Sequence, residues 1–331
     1  MKRWILGSAI VTFVALIAGF TLGPVIFRDA PATSVANPEQ SPTLTRGGMT
    51  GSIKVVASTN VWASIIEIIG GDWVEVTPII RNVAQDPHSY ESTARDQLAI
   101  QDAELVIANG GGYDDFMEQL VFATDGDRIF LELVEGKHSH TEEDHDATNA
   151  EAAAVDTHEN EHIWYDLHAV AEAADLIAEA INELRPEAFD DVNQNYDFFA
   201  SELENLQLRI DSLRDRALGL GIIAVEGVGN LMLTDAGFED LTPQRLADAI
   251  EEERDVPLTA SDEARTLIKN KLVVLLVTNT QVQDAISTDL VKMAESVGTP
   301  VVELSEVIPS EDLDYLDWMA SVIDRLQQAI Y

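Results

Sequence analysis

The chain of 331 residues carries 59 acidic against 20 basic side chains, a formal net charge of −39, and 46% of its residues are hydrophobic. That apolar content fills one large or two medium domains, while the charge repels nucleic acid and anionic lipid and gathers cations, so nucleic-acid binding is excluded. The chain has no cysteine, which removes disulfides, thiolate metal sites and an anchor made on a lipid-modified cysteine.

Residues 1–36 read as an export signal: MKRW is the positive start, ILGSAIVTFVALIAGF the apolar stretch, and TSVA (33–36) the small residues for cleavage. Apolar residues run on to Phe27, so the stretch 4–27 is also long enough to remain as a membrane anchor. Either way the expected location is extracytoplasmic. Residues 37–51, with Pro, Ser, Thr and Gly and no apolar period, read as a linker.

Strands and helices then alternate. IKVVAST (53–59), WVEVTPII (73–80), ELVIANG (104–110) and RIFLEL (128–133) are expected strands; GIIAVEG (221–227), LVVLLVTN (272–279) and TPVVEL (299–304) repeat the style in the second half. Between the halves, Tyr196, Phe199, Ala200, Leu203, Leu206, Ile210, Leu213 and Ala217 recur at spacings of three and four, one apolar stripe on a long helix. The expected fold is α/β: two lobes, each a mostly parallel sheet flanked by helices, over 52–190 and 218–331, joined by a rigid helix at 191–217.

Seven histidines are spread unevenly. His88 follows Asp-Pro in QDPHSYESTARD (85–96), a stiff turn with Ser92 as the expected cap of the next helix. Alone, it reads more readily as an ordinary loop histidine. Five others lie in the acidic segment 135–162: His138, His140, His145, His158 and His162. Such a segment is usually a solvated loop; histidines among carboxylates also make a weak, exchangeable surface for divalent metal. His162 stands apart, because HIWYD before the helix LHAVAEAADLIAEAINEL reads as ordered. His168 on that helix reads as a surface residue.

Glu226 closes an apolar strand and Glu306 follows another, both at the carboxyl end, where open α/β sheets collect ligands. Each acid alone is commonly a solvated or helix-capping group. Together, His88, His162, Glu226 and Glu306 sit at equivalent topological points, two per lobe. Imidazole and carboxylate donors suit zinc, manganese or ferrous iron.

DPHSYESTARD, AELVIANGGGYDDFMEQL, the acidic histidine segment with HIWYD, and the run DLTPQRLADAIEEERDVP, LLVTNTQ, TPVVELSEVIPSEDLDYLDWM together resemble the metal-specific solute-binding proteins of bacterial ABC importers, the zinc/manganese group with a rigid linking helix. The resemblance covers residues 52–330. It implies a monomeric receptor that captures a divalent metal between its lobes and hands it to a membrane permease, with His88, His162, Glu226 and Glu306 as ligands and 135–161 as a mobile loop. Many zinc members have histidine at the third position and aspartate at the fourth. Here glutamates stand at both, and the glycine-rich GVGNLML follows Glu226. Zinc is favoured over manganese or ferrous iron because of the histidine-bearing loop. A metal-dependent hydrolase is the competing class, but the chain has no nucleophile elbow, and its one HExxH spacing, HENEH (158–162), falls in the acidic segment that shows no helical period; a structural or adhesive surface protein with incidental metal is the third.

Overall fold

A computed structural model describes residues 51–87, 89–134, 160–251, 254–281 and 284–331. The expected export signal and nearly all of the expected linker, His88, and residues 135–159 with His138, His140, His145 and His158 lie outside the described residues. No helix among those described is long and apolar enough to cross a membrane.

In the N-terminal lobe the order is β1 (Ile53–Thr59), α1 (Asn60–Gly70), β2 (Val74–Ile80), α2 (Ala94–Asp102), β3 (Leu105–Gly110), α3 (Phe116–Phe122) and β4 (Ile129–Val134). Helix α4 (Leu167–Leu184) leads to α5 (Phe189–Ala217). The C-terminal lobe holds β5 (Gly221–Ala224), α6 (Asn230–Asp235), β6 (Glu239–Asp240), α7 (Gln244–Glu251), α8 (Leu258–Lys269), β7 (Leu275–Asn279), α9 (Ala285–Val297), β8 (Val301–Leu304) and α10 (Tyr315–Ala329). The strands form two four-stranded sheets, β2-β1-β3-β4 and β6-β5-β7-β8, with every pairing parallel. Pro78 sits within β2, which is an edge strand, so its missing N–H costs no pairing to a second neighbour.

The two sheets share one plan, and equal register makes positions comparable. Val55 pairs with Leu105 and Ala57 with Ile107 in the first sheet; Ile222 pairs with Leu275 and Ala224 with Val277 in the second. Asn109, two residues past Ile107, therefore occupies the same place as Asn279, two residues past Val277.

Helix α5 runs 29 residues, about 43 Å at 1.5 Å per residue. It begins two residues before the expected span. Phe199, Leu203, Leu206, Ile210, Leu213 and Ala217 are buried on it, as the apolar stripe requires, whereas Tyr196 and Ala200 are only partly covered. That stripe enters a continuous apolar cluster with residues of β1, α1 and α4 and of β5, β7 and α10. Separate clusters fill the outer faces of the two sheets. The middle of the molecule is thus one core common to both lobes.

Some boundaries differ from the sequence reading. β5 ends at Ala224, so Glu226 lies two residues beyond the strand. Trp73 belongs to a short 3-10 turn, Gly71–Trp73, before β2. The cap of α2 is Thr93, not Ser92: the Asp96 amide donates to the Thr93 hydroxyl at 3.4 Å and the Asp96 carboxylate accepts the Thr93 N–H at 2.7 Å. A reciprocal capping box satisfies two end groups at once, which Ser92 with Arg95 could not. The two-residue edge strand β6 is too short to carry a pattern.

Candidate metal centre

The site forms where the carboxyl ends of both sheets face each other. Glu226 and Glu306 each lie two residues past the end of their strands, β5 and β8. The chain leaves β5 into a turn that Gly229 enables at φ 79°, a conformation strained for other residues, and a Cβ there would come within 2.3 Å of Leu304 Cδ1 and displace it. That is the physical content of the glycine-rich stretch after Glu226. Both acids are buried, at 7% and 2% exposure, although neither belongs to an apolar environment by chemistry.

One amide joins them. Asn279 Nδ2 donates to Glu226 Oε2 and to Glu306 Oε1, both at 2.7 Å. Tyr113 Oη donates to the other Glu306 oxygen at 3.4 Å. Burial, and after it the charge of Glu226, pushes the Glu306 carboxyl up to about 8, against the pull of the Asn279 and Tyr113 hydrogen bonds. Two acids crowded out of water favour a proton or a cation between them.

The N-terminal lobe supplies His162. It precedes the 3-10 turn Ile163–Tyr165, whose three side chains are buried, and is itself 2% exposed. Its ring lies 5.9 Å from that of Tyr113 and 5.2 Å from that of Trp164, both edge-on. Tyr113 therefore touches both the imidazole and Glu306. On the other side, Asn160 Nδ2 donates to Gly227 O at 3.0 Å, next to Glu226, while Asn160 Oδ1 lies 2.9 Å from His162 Nδ1. With the amide oxygen turned to the ring, the neutral imidazole carries its proton on Nδ1 and its lone pair on Nε2, the tautomer of a metal ligand held by an outer hydrogen bond.

His88 lies outside the described residues, but the segment before it reaches the same place. Gln281 Nε2 donates to Gln85 O at 3.2 Å, and Gln281 Oε1 accepts the Glu306 N–H at 2.8 Å. A cavity of about 400 Å³ lined by Pro87, Tyr90, Gly112 and Tyr113, among others, adjoins the site on this side. Tyr113 is brought inward by the run Gly110, Gly111 and Gly112, all at positive φ; a Cβ on Gly110 would meet Val134 O at 2.4 Å. The Asp114 carboxylate clamps that turn, accepting the N–H groups of Asn109 at 2.7 Å and Gly110 at 2.8 Å. Burial raises Asp114 to about 6, against the pull of its hydrogen bonds. His168 is exposed on α4.

The structure thus brings His162, Glu226 and Glu306 to one cleft. Among the described residues no group of three or more ligating side chains is close enough to count as a formed metal cage. The residues passed over in the sequence are the polar partners: Asn109, Tyr113, Asn160, Asn279 and Gln281. One signal existed, since β3 and β7 both carry an asparagine at or next to their carboxyl end, in VIANG and LVTNT.

Lobes of this plan, spanned by one helix and meeting at a buried acid–imidazole cleft, define a helix-linked two-lobed binding protein. The chain belongs to the family of the periplasmic zinc-uptake complex component A, ZnuA, which matches residues 55–329. Among curated relatives, the manganese-binding lipoprotein MntA of Halalkalibacterium halodurans is 24% identical over 155 residues, 47% of each chain. The manganese ABC transporter substrate-binding lipoprotein PsaA of Streptococcus pneumoniae is 26% identical over 168 residues, 49% of each. The chain spans about half the length of the curated relatives it matches. A crystal structure of ZnuA superposes with a TM-score of 0.65 at 19% identity, covering 84% of this chain and 98% of that one. The periplasmic zinc-binding protein TroA of Treponema pallidum gives 0.64 at 17%, covering 85% and 99%. At such identities the likeness is one of fold.

Proposed function

We propose that the protein is the extracytoplasmic receptor of a metal ABC importer, capturing a divalent transition metal between its lobes and passing it to a membrane permease. His88 and His162 are the N-terminal ligands, Glu226 and Glu306 the C-terminal ones. The observation that carries this is the convergence of a buried imidazole and two buried carboxylates from opposite lobes: Tyr113 meets both His162 and Glu306, Asn160 joins His162 to Gly227 O beside Glu226, and Asn279 joins the two acids. A carboxyl held at about 8 by burial and a neighbouring acid is a group that a cation would relieve. The family match and the names of the relatives support the same reading.

Two imidazoles with two carboxylates serve zinc in a tetrahedral arrangement, and zinc is the first cargo on this reading. Manganese or ferrous iron is the second, favoured by the glutamate at the position where many zinc members place an imidazole, since these ions accept more oxygen donors. A hydrolase needs a general base beside an open coordination position; the HExxH spacing of HENEH (158–162) would need a helix to present both imidazoles on one face, and residues 160–162 are not helical. Metal analysis of protein purified without chelator, followed by zinc–manganese competition, tests the assignment. One tightly held ion per chain supports it; protein that retains no divalent metal at neutral pH contradicts it.

A further inference from the structure

The carboxylate pair is held by more than its own strands. Asn279 Oδ1 accepts the backbone N–H of Gln281 at 3.0 Å, so the amide can point only its NH2 group at Glu226 and Glu306. The opposite orientation would set an oxygen against two carboxylates and an NH2 against an N–H. Each hydrogen of one nitrogen serves one acid, and both acid oxygens are 2.7 Å from it. The two acids are therefore held within twice that distance of each other by a neutral group. Asn279 is itself buried at 5% exposure, where an amide does not wander.

The other lobe uses the same device. Asn109, at the equivalent register of the equivalent strand, accepts from Trp62 Nε1 at 3.3 Å. Its Nδ2 donates to Glu161 O at 2.9 Å, the carbonyl directly before His162. In each lobe the asparagine at this register, near the carboxyl end of β3 or β7, fixes the segment bearing the ligand. Only in the C-terminal lobe does it grip the ligating groups themselves.

We infer that Asn279 is a positioning residue that sets metal preference: its amide, oriented by Gln281, holds Glu226 and Glu306 convergent before the metal arrives. The inference rests on the receptor reading above. A convergent pair matches the short bonds and low coordination number of zinc. Released, the two acids are free to part, which penalises zinc more than manganese, an ion that accepts more and looser oxygen contacts. Partners of this outer kind typically change affinity 10–100-fold.

The test is Asn279→Leu, similar in size but without hydrogen bonding, beside Asn279→Ser, which keeps one donor. Dissociation constants for zinc and for manganese are measured by chelator competition on the full chain, with the visible spectrum of the cobalt-loaded protein and the melting point of the metal-free protein. The expected result is a loss of about 10–100-fold for zinc in Asn279→Leu and a smaller loss for manganese. The cobalt spectrum should shift, and Asn279→Ser should fall between. A purely structural role would lower melting and leave the ratio of the two constants unchanged; that result overturns the inference. So does a variant that matches the unmodified protein in both constants and in its cobalt spectrum. If Asn279→Leu does not fold, Asn279→Ser alone is read by the same ratio. Failure of the unmodified protein to bind any of the three ions would bring down the receptor reading, and the inference with it.

Discussion

The two lobes solve one problem in different ways. In the C-terminal lobe the acids come almost straight off the strands, two residues beyond β5 and β8, and a single amide spans them. In the N-terminal lobe the imidazole stands off its sheet, before a 3-10 turn, and is held from outside by Asn160, Tyr113 and the backbone grip of Asn109. Carboxylates so placed bring the charge; the imidazole brings direction through its tautomer. The difference teaches that a shared strand register can support unlike polar side chains, provided each is locked by polar partners of its own.

The sharpest way to break the comparison is to remove one proposed ligand from each lobe. His162→Ala and Glu306→Ala should each weaken zinc binding by more than the roughly 100-fold upper range of outer partners, read by competition with a chromophoric chelator. His138→Ala, His140→Ala and His145→Ala should each leave the constant nearly unchanged. A large loss on one side only would mean that a single lobe holds the ion.

The next effect is on stability. Asp114→Ala strips the acceptor from two buried N–H groups at the Asn109–Gly110 turn, and unsatisfied buried donors cost about 1–3 kcal/mol each. Urea unfolding should show a loss of about 3 kcal/mol, with the zinc-to-manganese ratio intact. A change in that ratio without loss of stability would contradict the separation drawn between the clamp of one lobe and the amide of the other.

Protons give a third and smaller handle. Glu306 is raised from 4.5 to about 8 and Asp114 from 3.8 to about 6, both by burial first. A carboxyl whose folded value lies above its unfolded one binds more protons folded than unfolded, so stability falls as pH rises through the interval between them. The metal-free protein should therefore melt lower at pH 8 than at pH 5. Metal binding at pH 7 should release close to one proton from Glu306, seen as a dependence of the calorimetric heat on the buffer. No release would mean that Glu306 is already ionised or takes no part.

Much of the lobe plan was legible because it rests on periodicity. The apolar runs of β1, β3 and β7 and the stripe on α5 are burial written as spacing, and Glu226 and Glu306 were noticeable as acids beside apolar strands. What the pattern could not carry was which polar groups meet. Asn279 reaches Glu306 across 27 residues and Tyr113 reaches it across 193; pairings at such separations come from topology and leave no local trace. The cap at Thr93 failed for a simpler reason, that Ser92 and Thr93 are both good capping residues and only the reciprocal Asp96 decides.

The smallest effect expected is on shape. The common core binds α5 to elements of both lobes, and α5 contains no glycine or proline, so bending it would break backbone hydrogen bonds and packing together. Scattering from metal-free and metal-loaded protein should give nearly equal radii of gyration. Marked compaction, as in hinged closure, would show that the helix is not a strut.

The central claim is that one ion sits between the lobes on His162, Glu226 and Glu306, with His88 beside them. Anomalous diffraction at the zinc edge from metal-loaded crystals tests it most directly. The account predicts one strong peak about 2.0–2.2 Å from a nitrogen of His162 and from oxygens of both glutamates, the usual zinc distances. A peak held only by histidines of 135–161, with Asn279 still bridging an undisturbed carboxylate pair, would contradict it.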